Sequence, residues 1–455
     1  MSAYAAGADT NLTWYAWNFG DGSPVESGPG LRSVSHVFGL GVHAVSLTVS
    51  NATAVASCVR NEAVRVGASI AYVSDSGSSI WPYDTPEKAA AKIQQAVDAV
   101  WASDAALGTV HLASGAHLVG PADRINVMRP VRILGGDDPA TVWIDAEGVN
   151  GRRCMLVNHP QAVVAGMTFK NGNYPVFTIT ECAGVRLESG MVSNCIVTAN
   201  TAKYAGGATV TGGLMTDCVI TNNFSTDTGT YGKGGGLYQT GGVVRRCLLG
   251  VNKANLGGGV YMTGGTLRES HVLGNTGGAY NTATTYHGGG VYQEGGSLIN
   301  VLVAKNTVLY GGGGGIYLKN AASTNLNVTV CENTAVNAAT SDGVFQENGV
   351  LRNVIAQFNG EIDLIKTAGT ITYSSVGVDP TPAGDGNIST EPLMPRRALG
   401  DYRLVAGSPG IDVGSNTGWT TQDVDLDGLS RIKFGTCDMG AYEFPGAPAT
   451  VLVVH

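Results

Sequence analysis

The side chains best suited to chemistry in this chain are Lys233, Tyr286, His287 and Glu294, which fall in or beside one run of loops. Neighbouring loops of the same run add Lys203, Tyr204, Asp227, Tyr231 and Tyr310. Aromatic faces beside placed hydrogen-bonding groups suit carbohydrate, because sugar C–H faces pack on rings while hydroxyls need fixed partners. Tyr204, Asp227, Tyr231, Lys233, Tyr286, His287 and Tyr310 therefore form the candidate substrate-binding set, with solvated loop side chains as the plain alternative. Elimination across a uronate needs a cation to neutralise the carboxylate and a base for the adjacent proton. Lys233, with Arg245 and Arg246 nearby in sequence, offers charge, yet no Asp cluster accompanies them. Hydrolysis needs two carboxylates at a set separation. Glu188, Glu294 and Glu347 share one repeat position. At about 4.8 Å per coil, Glu294 and Glu347 stand about 10 Å apart, the wide end for an inverting pair. Lys233, Tyr286, His287 and Glu294 are the catalytic candidates.

A separate group, Asp423, Asp425 and Asp427 before Gly428, matches the first half of a calcium loop, in which alternating carboxylates face one cation. Position twelve of that loop is Phe434 where Glu is required. The choice is between a Ca²⁺-stapled turn, completed by Asp438, and carboxylates that cap turns. No cofactor is required, and Ca²⁺ is the one candidate ion.

The elements that position these residues are written as a repeat. Asn200, Asn223, Asn252, Asn275, Asn306, Asn333 and Asn359 close similar segments at separations of 23 to 31 residues. Between them recur GGGLY, GGGVY, GGGVY and GGGIY, starting at Gly234, Gly257, Gly288 and Gly313. Such a period is that of a solenoid, in which each coil buries its apolar face on the next. Stacked Asn amides can bond along the stack, while the glycines allow positive φ and close approach at the opposite corner. Tyr238, Tyr261, Tyr292, Tyr317 and Phe345 then recur once per coil, either stacked as a ladder or exposed as a sugar platform. Cys195, Cys218 and Cys247 share one repeat position and pack as small apolar groups. Cys154 and Cys182, about one coil apart, could bridge neighbouring coils in an exported protein.

With 455 residues, 66 glycines, 14% charged residues and a net charge of -8, the chain is turn-rich and has no basic run. That excludes nucleic acid, which needs a cationic face. No apolar run reaches the length that spans a bilayer, and no signal peptide opens the chain. Ahead of the solenoid, Thr85 as N-cap, Pro86 and the period of Ala89, Ile93, Ala96, Val97 and Val100 predict one helix near 85–103 that caps the first coil.

Residues 1–68 predict short strands of a small β-sandwich. WNFGDGSP from Trp17, SHVF from Ser35 and VSLTVSN from Val45 resemble the polycystic kidney disease (PKD) domain, an immunoglobulin-like spacer in which Asp21 would be a turn residue. Its first strand is missing, which implies that the chain is clipped at its start. YVSDSG, YDTPEKAAAKIQQAVDAV, TVHLASGAHLV and AGMTFKNG resemble the opening of right-handed parallel β-helix proteins of the pectin-lyase-like superfamily. SPGIDVG, DLDGLSR and DMGAYE resemble the C-terminal segment of choice-of-anchor Q type proteins, which would cap the last coil. The fold expected is all-β: a PKD-like sandwich at 1–68, a right-handed parallel β-helix with its helix at 69–395, a terminal cap at 396–446 and a tail or linker at 447–455. These resemblances imply an extracellular or surface-attached bacterial monomer that binds polysaccharide or serves as an adhesive scaffold. The rival is a polysaccharide-degrading enzyme, a uronate lyase before a hydrolase.

Overall fold

Alternating apolar and polar residues form the first strands, β1 (Trp14–Asn18), β2 (Glu26–Gly28), β3 (Gly41–Ser50) and β4 (Val55–Val66). The computed structural model describes residues 14–100, 107–120, 125–175, 181–227, 232–279, 286–336, 340–378 and 381–446. It pairs these strands antiparallel in the order β2-β1-β3-β4. Trp17, Phe19, Val34 and Val45 make the buried cluster on this sheet. The SHVF segment forms no strand. Its His36 ring instead stacks on Phe19 at 3.8 Å and Phe38 lies 5.3 Å from His43. Asp21 is a turn residue as expected: it accepts from the Ser23 amide at 3.0 Å and hydroxyl at 2.6 Å. Those bonds, with His36 at 2.6 Å, hold its carboxyl well below the usual range.

This sheet belongs to a first unit, Met1–Ala113 with Pro130–Leu134; the second is Ser114–Arg129 with Gly135–His455. The first unit also holds Ile70–Val73 paired in parallel with Gly108–Leu112, and that strand with Val131–Leu134. The single long helix expected at 85–103 is broken. Pro86–Lys88 is one 3-10 turn, and the α-helix α1 runs only from Ile93 to Ala99. Backbone bonds explain the break. Ala90 donates to Tyr72 O at 2.8 Å, and Ser78, Ser79 and Ile80 donate to Glu87, Ala89 and Lys88 carbonyls at 2.9 to 3.1 Å. Those carbonyls are lost to a helix ladder, so α1 restarts behind Lys92, whose amide is met by Gln95. Residues 101–103 of the expected helix lie outside the described residues.

The second unit is a parallel β-solenoid with three strand-bearing faces per coil. The first face runs through Ala208–Val210, Leu237–Gln239, Val260–Met262, Val291–Gln293, Ile316–Leu318 and Val344–Gln346. The second runs through Leu214–Thr216, Val243–Arg245, Thr266–Arg268, Ser297–Ile299, Thr324–Leu326 and Val350–Arg352. The third runs through Ile196–Thr198, Val219–Thr221, Leu248–Gly250, His271–Leu273, Leu302–Ala304 and Thr329–Cys331. Each parallel pair leaves every side chain above its repeat partner, which turns sequence periodicity into columns.

The repeated asparagines form one continuous buried ladder. From Asn200 to Asn333, each backbone N–H and each Nδ2 donates to the Oδ1 of the next ladder residue at 2.9 to 3.1 Å. The ladder ends at Asp363, whose Oδ1 accepts from the Asn359 amide at 2.8 Å and Nδ2 at 2.7 Å. The glycine triplets were expected at the opposite corner, but they meet the ladder at the same one. A Cβ on Gly236 would lie 2.7 Å from Asn252 Nδ2, and on Gly315 2.9 Å from Asn333 Nδ2. The third glycine is needed because the asparagine closing its own coil fills the space of a side chain.

The C-terminal segment covers a flank of the solenoid, not its end. Met394, Tyr402, Leu404, Met439, Ala441 and Tyr442 pack on Leu302, Ala304, Cys331 and Ile355 of the third face. Asn300, Asn327 and Asn353, all at left-handed turn positions of successive coils, bind its backbone. Asn300 Nδ2 donates to Val424 O at 2.7 Å, Asn327 Nδ2 to Asp438 O at 2.8 Å and Asn353 Nδ2 to Ser415 O at 2.9 Å. The last rung is met by Ile388, whose amide donates to Ser374 O at 2.9 Å and whose carbonyl accepts from the Val376 amide at 3.0 Å.

Candidate functional site

The first face carries the aromatic column. After each inward Leu, Val or Ile, alternation turns the next residue outward, and Tyr238, Tyr261, Tyr292, Tyr317 and Phe345 stand in register. Their centroids are 5.5, 5.0, 5.0 and 5.3 Å apart. The four tyrosines are 0 to 4% exposed, so their faces meet one another and no sugar ring can lie on them. Ala205, Cys182 and Leu256 pack over the stack. The exposed-platform reading therefore gives way to the ladder.

Two positions further on, a second column stands beside the ring edges: Glu294, Lys319 and Glu347, each one rung from the next. Their register is shown by the bonds Lys319 N to Gln293 O at 2.9 Å and Glu347 N to Leu318 O at 2.8 Å. Lys319 Nζ reaches Glu294 Oε1 at 3.1 Å and lies 5.8 Å from the Tyr292 ring. Burial works against its charge, but bonds to Glu294 and Tyr292 raise its pKa overall. Burial, reinforced by Glu347, holds the Tyr317 hydroxyl well above its usual range. Burial, reinforced by Glu294, does the same for Tyr261, whose Oη has no hydrogen-bond partner among the described residues.

Lys233 and His287 join this face from the loops. Lys233 Nζ lies 4.5 Å from the Tyr261 ring centroid, and burial lowers its pKa although Glu294 opposes the shift. His287 stacks on Tyr317 at 4.1 Å, and its Nδ1 accepts from the Gly312 amide at 3.1 Å. That bond leaves Nε2 as the protonated nitrogen of the neutral ring, and burial lowers its pKa despite Glu347. Thus the structure brings together Lys233, His287, Glu294 and Glu347, and adds Lys319. Lys319 was legible from its position after IYL, equivalent to that of Glu294 after VYQ and Glu347 after VFQ.

Other expected residues go elsewhere. Tyr204, Asp227 and Tyr286 are 4, 6 and 2% exposed and form no open rim, because the loops carrying them fold onto the coils. Tyr310 is exposed, and Tyr231 lies outside the described residues. Glu188 shares the Glu294 column but is ion-paired with Arg186. Arg246 pairs with Asp217 at 2.6 Å and Arg245 with Glu269 at 2.6 Å on the second face.

The three Asp residues do not converge. Asp423 accepts from the Thr420 amide and hydroxyl, both at 2.8 Å; Asp425 accepts from the Asp427 and Leu429 amides at 2.9 and 2.7 Å; Asp427 takes the Arg403 fork. Asp438 does not complete a cation site either, since its oxygens accept from Asp412 and Phe444 amides at 2.7 and 2.6 Å. Among the described residues no group of three His, Cys, Asp or Glu is placed to hold a metal. All eight cysteines are free, Cys154 and Cys182 included. The Cys154 thiol donates instead to Lys170 O at 3.4 Å. No helix among the described residues is long and apolar enough to cross a membrane.

Residues 1–61 match the family model of the PKD domain, so the chain carries that module. Searches of curated proteins and of solved structures each returned no match.

Proposed function

We propose that this chain is an exported bacterial polysaccharide-binding scaffold, with the first face of its solenoid as the binding surface. The observation that carries this reading is the column Glu294–Lys319–Glu347 beside the rigid tyrosine stack, one polar group per rung. A polymer lying along the coil axis would meet a hydrogen-bonding or charged group at each rung of about 4.8 Å. The tyrosines act here as a stiff wall that presents edges, and the charged column supplies the partners for hydroxyls. The PKD module supports an extracellular setting, as does the likeness of the solenoid to pectin-lyase-like proteins and of residues 396–446 to the choice-of-anchor Q segment. The test is affinity electrophoresis of the intact protein in gels cast with single polysaccharides. Retardation by at least one polymer that Lys319→Ala and Glu347→Gln both relieve is the expected result. Unchanged mobility in every gel removes the reading.

A uronate lyase is the second reading, and Lys233 favours it. Its half-buried amine makes no ion pair among the described residues, and burial favours the neutral base. Hydrolysis fits less well, because Lys319 stands on the rung between Glu294 and Glu347, where the attacking water would have to pass. New ultraviolet absorbance from unsaturated chain ends, abolished by Lys233→Ala, would establish the lyase.

A further inference from the structure

We propose that the C-terminal segment is a proton-linked latch: it clamps the third face while the buried Asp425, Asp438 and Glu443 share a proton, and releases that face when the proton is lost. The three carboxyls and the guanidinium of Arg431 are 0 to 3% exposed and lie in one layer under the segment. Arg431 pairs with Glu443 at 3.0 Å, and it also donates to Gly440 O. Glu443 accepts from the Asp438 amide at 3.0 Å, and its own amide donates to Asp425 at 2.6 Å. One cation cannot balance three ionised acids in a dry layer, so the docked state favours at least one neutral carboxyl.

The same backbone that closes this cluster is the backbone the solenoid grips. Asn327 Nδ2 binds Asp438 O and Gly440 O at 2.8 and 3.1 Å, and Gly440 N donates to Asn353 O at 2.7 Å. Charge repulsion at Asp438 and Glu443 therefore acts directly on the docking contacts. Asp412 and Asp427 add negative charge behind the layer, the latter neutralised by Arg403. From the solenoid, His271 faces the Arg403–Asp427 pair, and burial keeps its ring neutral in the relevant range. Burial raises Asp425 and Asp438, and it pushes Glu443 up to about 8. A raised acid binds its proton more tightly when docked, so this contribution is complete at low pH and disappears as pH rises through about 8.

Limited trypsin digestion of the intact protein tests the latch, since Arg431 is fully buried when it is closed. With trypsin activity corrected on a small peptide, cleavage after Arg431 is expected to rise about tenfold from about pH 7 to about pH 10. Glu443→Gln should flatten that rise. Asp412→Asn, at an exposed position, should move its midpoint downward, because losing a nearby negative charge lets Asp438 give up its proton at lower pH, and it serves if Glu443→Gln does not fold. A flat wild-type curve overturns the proposal, and so does a rise whose midpoint Asp412→Asn leaves in place.

Discussion

Asn325 is the residue whose position conflicts most plainly with its chemistry. It stands in register between Leu298 and Leu351, fully buried, and neither its Oδ1 nor its Nδ2 has a partner among the described residues. An orphaned buried amide costs about 1–3 kcal/mol, so Asn325→Leu should raise the urea midpoint by a corresponding amount. A lowered midpoint would show that the amide is satisfied in solution. Lys319 shows the reverse case. Its position after IYL marks its column in the sequence, and its rung, between two carboxylates and beside a tyrosine wall, makes it a candidate ligand-binding group. Conversely, Tyr204 and Tyr286 looked like loop aromatics open to sugar and proved to be packing residues, because a loop's tilt onto its coil has no local signature.

Among the elements, the asparagine ladder makes the sharpest predictions. Asn275 Oδ1 accepts two bonds from Asn252, at 2.9 and 3.0 Å. Asn275→Ala leaves both buried donors without an acceptor and should destabilise the solenoid by about 2–4 kcal/mol in urea titration. The ladder's last acceptor, Asp363, is pushed up to about 6, first by burial and further by Asp342 and Glu391. Its proton is held more tightly folded than unfolded, so stability from this group is present at low pH and declines as pH rises from about 4 through about 6. Asp363→Asn continues the ladder with a neutral group and should remove that decline from a thermal melt series across the same range. The helix before the solenoid teaches a different lesson. Its period was correct over Ile93, Ala96 and Val97, yet backbone pairing with residues 72–80 overrode propensity at 86–90.

At the scale of the whole molecule, stability rests on stacked backbone, on apolar columns and on the C-terminal segment, with no covalent cross-link. Because all eight cysteines are free, adding reductant should leave the thermal midpoint unchanged, and a fall would reveal a disulfide formed in solution. Deleting residues 391–446 would uncover Leu302, Ala304 and Ile355, and the shortened chain is expected to aggregate as judged by light scattering.

The sequence by itself determined the repeat, the columns that follow from it and the PKD module, because parallel coils stack equivalent positions and a fixed period is visible without coordinates. It also placed Glu294 and Glu347 two rungs apart. Tertiary structure alone decided that the glycines and asparagines meet at one corner, that the tyrosines face each other, and that the Asp residues near 425 bind amides and an arginine. It likewise decided that the last segment lies along the flank. These outcomes depend on how far a chain turns between rungs and on where loops come to rest, which are sums over many contacts and not properties of any one stretch.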